Sequence, residues 1–292
     1  LKGSEVAPTI AARRAVRQIS KTPEAGVMSE PLFGGPVPQF YDKYLQPIMG
    51  APFVPEIVAR AAAAEPAAIL ETACGTGSAT LPLAKALPLA QIMATDVSAD
   101  MIDYAKTKAE GAAIVWSQAD ADDLPFAAHS FDLVFAQFGV MFFSDRPKAF
   151  REARRVLRPN SGFLFSVWDD LAVNDLPRVS FEAVVAMFPS DPPTYTRRLP
   201  FGYSDRARIE RDLRAGGFAT IAIEPVRKSL RVATARHYAI GACQGGGLRG
   251  EIEARDPEAV ARATDIVEQA LKQRFGDRPF EVSAQALFVT AS

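Results

Sequence analysis

Ile69-Leu70-Glu71-Thr72-Ala73-Cys74-Gly75-Thr76-Gly77-Ser78 is the stretch on which the reading of this chain turns. A short apolar run passes straight into a glycine turn, and a helical pattern from Ser78 to Leu87 follows it. Gly75 and Gly77 have no Cβ, so the backbone can turn sharply there and a ligand can lie against it. Free N–H groups at the helix start favour an anion. A lone G-x-G also occurs in purely structural turns, so its meaning depends on what surrounds it.

Outward from that turn, short apolar runs alternate with helical patterns. Strands are expected at Ala68 to Glu71, Gln91 to Thr95, Ala113 to Ser117, Phe131 to Ala136 and Gly162 to Trp168. Helices are expected at Ser98 to Ala109, with Ser98 as N-cap, and at Asp145 to Leu157. Such alternation builds a parallel sheet covered on both faces, an α/β fold of the doubly wound, Rossmann-like kind. After Trp168 prolines interrupt an apolar helical stretch from Val179 to Phe188, which reads as a helical cap insertion. A helix at Ser204 to Ala215 ended by Gly216 and Gly217, a strand at Phe218 to Val226, a helix starting at Asp256-Pro257 and a strand at Gln285 to Thr290 complete the pattern. Residues 31–292 are expected to form a single domain, with a cofactor half at 41–168 and a cap and substrate region at 169–292. Residues 1–30 are expected to be a flexible leader or an added remnant, with Met28 a candidate start and a basic transit peptide the alternative.

Composition narrows the function classes. The 292 residues are 48% hydrophobic and 23% charged, as in folded soluble domains. Lys+Arg 33 against Asp+Glu 34 gives a formal charge of -1, so no global field draws the chain to nucleic acid or anionic membrane. Two cysteines, Cys74 and Cys243, are too few for a disulfide framework and have no metal-ligand spacing. No metal, no nucleic-acid partner and no membrane span are expected. A cytoplasmic setting is the default, and the oligomeric state is left open.

Asp96 closes the second strand, 21 residues after Gly75, where a carboxylate can accept from both hydroxyls of an adenosine ribose. That geometry suits NAD as well as S-adenosylmethionine. A pyrophosphate calls for G-x-G-x-x-G, and the third glycine position holds Thr80, which favours the smaller methionine carboxylate.

Further on stand Gln118-Ala119-Asp120-Ala121-Asp122-Asp123-Leu124-Pro125-Phe126 and Ser130-Phe131-Asp132-Leu133-Val134. With them, over about 41 to 168, the chain resembles class I S-adenosylmethionine-dependent methyltransferases of the ubiquinone and menaquinone biosynthesis type (methyltransferase type 11). The resemblance implies a seven-stranded sheet with its last strand antiparallel. It implies that Glu71, Ala73, Gly75 and Gly77 surround the methionine part and that Asp96 holds the ribose. Val97 and Met101 would line the adenine, Asp120 would accept from its amino group with Ala121 beside it, and Gln137 would end the fourth strand next to the methionine. Tyr41, in Phe40-Tyr41-Asp42-Lys43-Tyr44-Leu45, resembles the aromatic of the helix that closes over the cofactor. Glu71 and Ala73 depart from the commoner Asp and Gly.

The expected activity is methyl transfer from S-adenosylmethionine to a small, mainly apolar molecule. Its pocket is expected between the leading helix, the neighbourhood of His237, and cap residues Phe181, Val185, Met187 and Phe188. His237 is the candidate general base, since His129 sits in a turn. An NAD(P)-dependent oxidoreductase and a non-catalytic S-adenosylmethionine-binding protein are the alternatives. Asp191-Pro192-Pro193-Thr194 resembles a nucleic-acid amino-methyltransferase signature but is misplaced, since that signature should follow the fourth strand. The basic residues of the 145–157 helix read as a solvated face, and Asp122 and Asp123 as solvated carboxylates.

Overall fold

The computed structural model describes residues 33–109 and 111–292. The expected leader at 1–30 lies outside the described residues. The chain begins with a leading segment made of helical turns at Val37–Phe40 and Gln46–Met49 around a π-helical turn at Tyr41–Leu45, followed by α1 (Val54–Ala62). Then come β1 (Ala68–Thr72), α2 (Thr80–Ala86), β2 (Gln91–Asp96), α3 (Ala99–Thr107), β3 (Ile114–Gln118), β4 (Phe131–Gln137), α4 (Arg146–Val156) and β5 (Leu157–Trp168). Helices α5 (Asp175–Met187) and α6 (Arg206–Ala215) precede β6 (Ile221–Val232). Helices α7 (Ala235–Gln244), α8 (Leu248–Arg255) and α9 (Ala259–Phe275) precede β7 (Phe280–Ala291).

The seven strands lie in the order β3-β2-β1-β4-β5-β7-β6, and β7 runs antiparallel to both neighbours. This is the expected Rossmann-like sheet. Apolar runs such as Ile69-Leu70 and Val134-Phe135-Ala136 are buried because helices cover both faces of the central strands. From α4, Phe150, Ala153 and Val156 are buried, as its apolar stripe predicts, and Ser98 caps α3 by accepting from Met101 N. β1 and β4 are parallel neighbours, but the order of strand addition reverses between them: β2 and β3 extend one side of β1 and β4 starts the other. The carboxyl ends at such a switch point open a crevice for ligands.

Two features depart from the expected outline. β6 and β7 pair over twelve residues each, from Ile221↔Ala291 to Val232↔Phe280, so both are longer than the strands expected at 218–226 and 285–290. Pro225 sits within β6 and is tolerated because β6 is an edge strand, where a missing donor costs no ladder bond on the open side. Helical additions also come as two pieces. One lies between β5 and β6, and a second, α7 to α9, lies between β6 and β7 and packs on α5. Helices α7 and α8 escaped the sequence reading because glycines at 241, 245, 246, 247 and 250 break the apolar period.

Candidate active site

A cavity of about 290 Å³ opens at the carboxyl ends of β1, β2 and β4 and continues under the helical additions. The turn after β1 forms its floor. Ala73 takes a left-handed backbone with φ 52°, followed by Gly75 at 54° and Gly77 at 75°. Asp96 locks this turn: one oxygen accepts from Gly75 N at 2.8 Å and the other from Ser98 N at 2.8 Å. Burial raises the Asp96 carboxyl above its ordinary value, and these backbone donors pull the other way. Each carboxylate oxygen can accept twice, so capacity remains for hydroxyls of a ligand.

Glu71 lies below the turn and does not line the cavity. It is fully enclosed and accepts from Thr80 Oγ1 at 2.5 Å. Burial, with Asp96 nearby, pushes its carboxyl up to about 8. Thr80, at the third glycine position, is thus a buried partner of Glu71. Gly77 does not line the cavity either. A methyl group there would lie 3.0 Å from Trp116 Cη2, so this glycine lets α2 and its turn close onto β3. Ala73, Gly75, Asp96, Val97, Met101, Asp120, Ala121, Gln137 and Tyr41 all line the cavity.

Asp120 lines the mouth while its Oδ1 accepts from Asp122 N at 2.9 Å, a turn cap. Asp122, read as solvated, is instead buried. It accepts from Ser144 Oγ at 2.5 Å and Asp145 N at 3.1 Å, tying the loop after β3 to the start of α4. Gln137 donates to Gly50 O at 3.3 Å, and its Oε1 is buried with no partner among the described residues. Such an atom carries a desolvation cost until a donor arrives. Val97 is 61% exposed at the mouth, an apolar side chain with nothing over it. Burial, Asp42 and Asp96 push the Tyr41 hydroxyl up to about 12, so it stays protonated.

The far end of the cavity is aromatic. Phe138 is left-handed at φ 53°, and its ring stacks on Trp168 at 4.0 Å with planes 8° apart; Phe201 stacks on Trp168 at 5.9 Å. Phe181, Tyr195 and Tyr238 complete the wall. Burial pushes the hydroxyls of Tyr195 and Tyr238 well above the ordinary tyrosine value, so both stay protonated. Of the four cap residues expected here only Phe181 lines the cavity; Val185, Met187 and Phe188 pack against the core, because α5 turns one face to α9. Sequence reading missed Trp168, Tyr195 and Phe201, which converge from the end of β5 and from the segment between α5 and α6. A tryptophan closing a central strand was the one signal available.

His237 does not reach this cavity. Its Nε2 lies 3.2 Å from Lys43 O, its ring packs against Tyr44 at 4.8 Å, and its N–H is capped by Thr234. The helical period turns its neighbour Tyr238 inward instead, so the expectation of a catalytic His237 is corrected here to a packing contact. The Asp191 to Thr194 stretch is pinned by Arg255 and Glu251. On α4, Arg146 bonds Val140 O and Met141 O, and Arg155 bonds Leu124 O and Phe126 O. Just after it, Arg158 pairs with Asp132. Half of the basic face is therefore committed within the fold. No described helix is long and apolar enough to cross a membrane, and no group of metal-ligand side chains occurs among the described residues.

The sheet order, the Gly turn and the acidic residue ending β2 define a Rossmann-like nucleotide-binding architecture whose last-added strand is antiparallel. Residues 70–165 match the family described as Methyltransferase domain. The malonyl-[acyl-carrier protein] O-methyltransferase of Hahella chejuensis is 39% identical over 101 residues, covering 35% of this chain and 36% of the relative. The demethylmenaquinone methyltransferase of Thermus thermophilus is 40% identical over 96 residues, covering 32% and 44%. This chain therefore spans less than half the length of either relative. Among solved structures, the [4+2]-cyclase SpnF superposes with a TM-score of 0.52 at 18% identity, over 83% of this chain and 80% of that one, which shows a shared fold.

Proposed function

We propose that this protein transfers a methyl group from S-adenosylmethionine to a small, uncharged, mainly apolar acceptor. The observation that carries the reading is one continuous cavity with two unlike ends. One end offers a glycine turn, Asp96 and the orphaned Gln137 Oε1; the other is walled by Trp168, Phe181 and Phe201. Asp96 and Asp120 are the only charged side chains among the described lining residues.

The groups present fit the cofactor. Asp96 would accept from the ribose hydroxyls, Val97 and Met101 would cover the adenine, and Asp120 with Ala121 would meet its amino edge. Gln137 Oε1 would accept from the methionine ammonium, and Gly75 with Ala73 would leave room for the chain. Glu71 and Gly77 support the turn from beneath. When bound, the cofactor supplies an electrophilic methyl carbon on a sulfonium. The protein aligns the acceptor against it and excludes water with the aromatic wall. No His, Lys or Arg lines the described wall, so proton loss from the acceptor follows its own acidity and ends in solvent. A malonyl group, named for the Hahella relative, carries a carboxylate that would meet no cation here, which disfavours that acceptor.

Calorimetric titration with S-adenosylmethionine and S-adenosylhomocysteine tests the reading. Both ligands should bind, and Asp96→Ala should weaken them by at least about tenfold, the value of one lost hydrogen bond to a charged group. Binding of NADH with no response to either sulfur ligand would reverse the assignment to an oxidoreductase.

A further inference from the structure

We infer that Asp42 is a positioning residue that holds the leading segment, and with it Tyr41, over the cofactor end of the cavity. The inference rests on the cofactor reading above. The flanking turns bury Val37, Ile48 and Met49, but the π-helical turn between them, Tyr41 to Leu45, buries no residue, so its register over the glycine turn depends on polar bonds. Asp42 supplies three of them. Its Oδ1 accepts from Thr76 Oγ1 at 2.7 Å and from Lys108 Nζ at 2.5 Å, and its Oδ2 from Tyr104 Oη at 3.4 Å. Thr76 belongs to the glycine turn itself, and Tyr104 and Lys108 belong to α3 and its end. One carboxylate thus ties the residue next to Tyr41 directly to the cofactor floor.

The opposite side of the segment is seated on α7. A methyl group on Gly241 would lie 2.8 Å from Tyr44 C and 2.9 Å from Leu45 N, and one on Gly245 would lie 3.2 Å from Tyr41 N. Backbone meets backbone there because both glycines lack side chains. His237 completes the seat through Lys43 O and the Tyr44 ring. Tyr41 is therefore clamped between the helical additions and the glycine turn, and the Asp42 side of the clamp is the side that meets the glycine turn.

The test joins calorimetry with hydrogen exchange on the intact chain. Asp42→Ala should weaken S-adenosylhomocysteine binding about tenfold and Thr76→Val by part of that, and the double variant no further than Asp42→Ala, as for partners of one shared bond. KM for S-adenosylmethionine should rise while kcat at saturation holds. Amides of residues 37–49 should exchange faster in ligand-free Asp42→Ala than in the unmodified protein. Asp42→Asn, which keeps an acceptor for Thr76 but loses the Lys108 charge pair, should fall between and serves if the alanine variant does not fold. Asp103→Ala, on the outer face of α3, should change nothing. Unaltered binding and exchange in Asp42→Ala, with a wild-type chain that binds the ligand, would overturn the inference alone. A wild-type chain that binds neither sulfur ligand would overturn the cofactor reading and this inference with it.

Discussion

Glu71→Gln is expected to leave stability unchanged in acid and to raise it above neutrality. Burial holds the Glu71 carboxyl at about 8, against an ordinary 4.5. Between those values the unfolded chain has released a proton that the folded chain still holds. The unfolded state then binds fewer protons, so stability falls as pH rises through this window and the loss is complete above about 8. Glutamine mimics the protonated acid and can still accept from Thr80 Oγ1. Urea unfolding should give matching free energies near about pH 4.5, and a variant more stable by on the order of a few kcal/mol near about pH 9. Parallel pH profiles for the two proteins would show that Glu71 is ionised in the fold. Since Glu71 lies beneath the turn, cofactor affinity should fall less than in Asp96→Ala.

Gly139→Ala is expected to damage both stability and ligand binding, and Ala73→Gly in the same chain to repair both. Gly139 has φ −105° and ψ −37°, so alanine suits its backbone; the obstacle is the added methyl, 2.6 Å from Ala73 Cβ. Overpacking of this kind costs about 1–3 kcal/mol. Ala73 cannot step aside, because its left-handed backbone at φ 52° is held between β1 and the bond from Cys74 N to Thr95 O at 2.9 Å. Removing the Ala73 methyl ends the clash and also relieves a left-handed alanine, which by itself costs about 1–2 kcal/mol. Thermal melts and calorimetric titration of both singles and the double variant check this. A Gly139→Ala protein that melts and binds like the parent would refute the pairing. The pair also explains the departure from glycine at 73: the methyl tolerated there uses space vacated at 139, a residue 66 positions away.

Much of the fold over residues 41–168 was legible because its signals are local. The apolar run at Ile69-Leu70, the turn at Gly75 and the serine cap before α3 each act over a few residues. Asp96 could be placed because strand length and helix length put it at the end of the neighbouring strand. The cap half was not legible in this way. Val185, Met187 and Phe188 looked like pocket wall by hydrophobicity, but an apolar side chain serves a core as well as a cavity. Only the packing of α5 on α9 separates Phe181 from the other three. His237 was singled out by scarcity, and a helical period that turns Tyr238 inward sends it to the outer seat.

By itself the sequence determined a doubly wound sheet, a glycine turn at its first strand and an acidic residue at its second, because periodicity and chain reach dictate these. The tertiary structure alone decided which aromatics meet at Trp168, why Ala73 is tolerated and where Asp42 is tied. Each of those depends on distances between residues far apart in sequence, and those distances exist only once both helical additions have closed over the sheet.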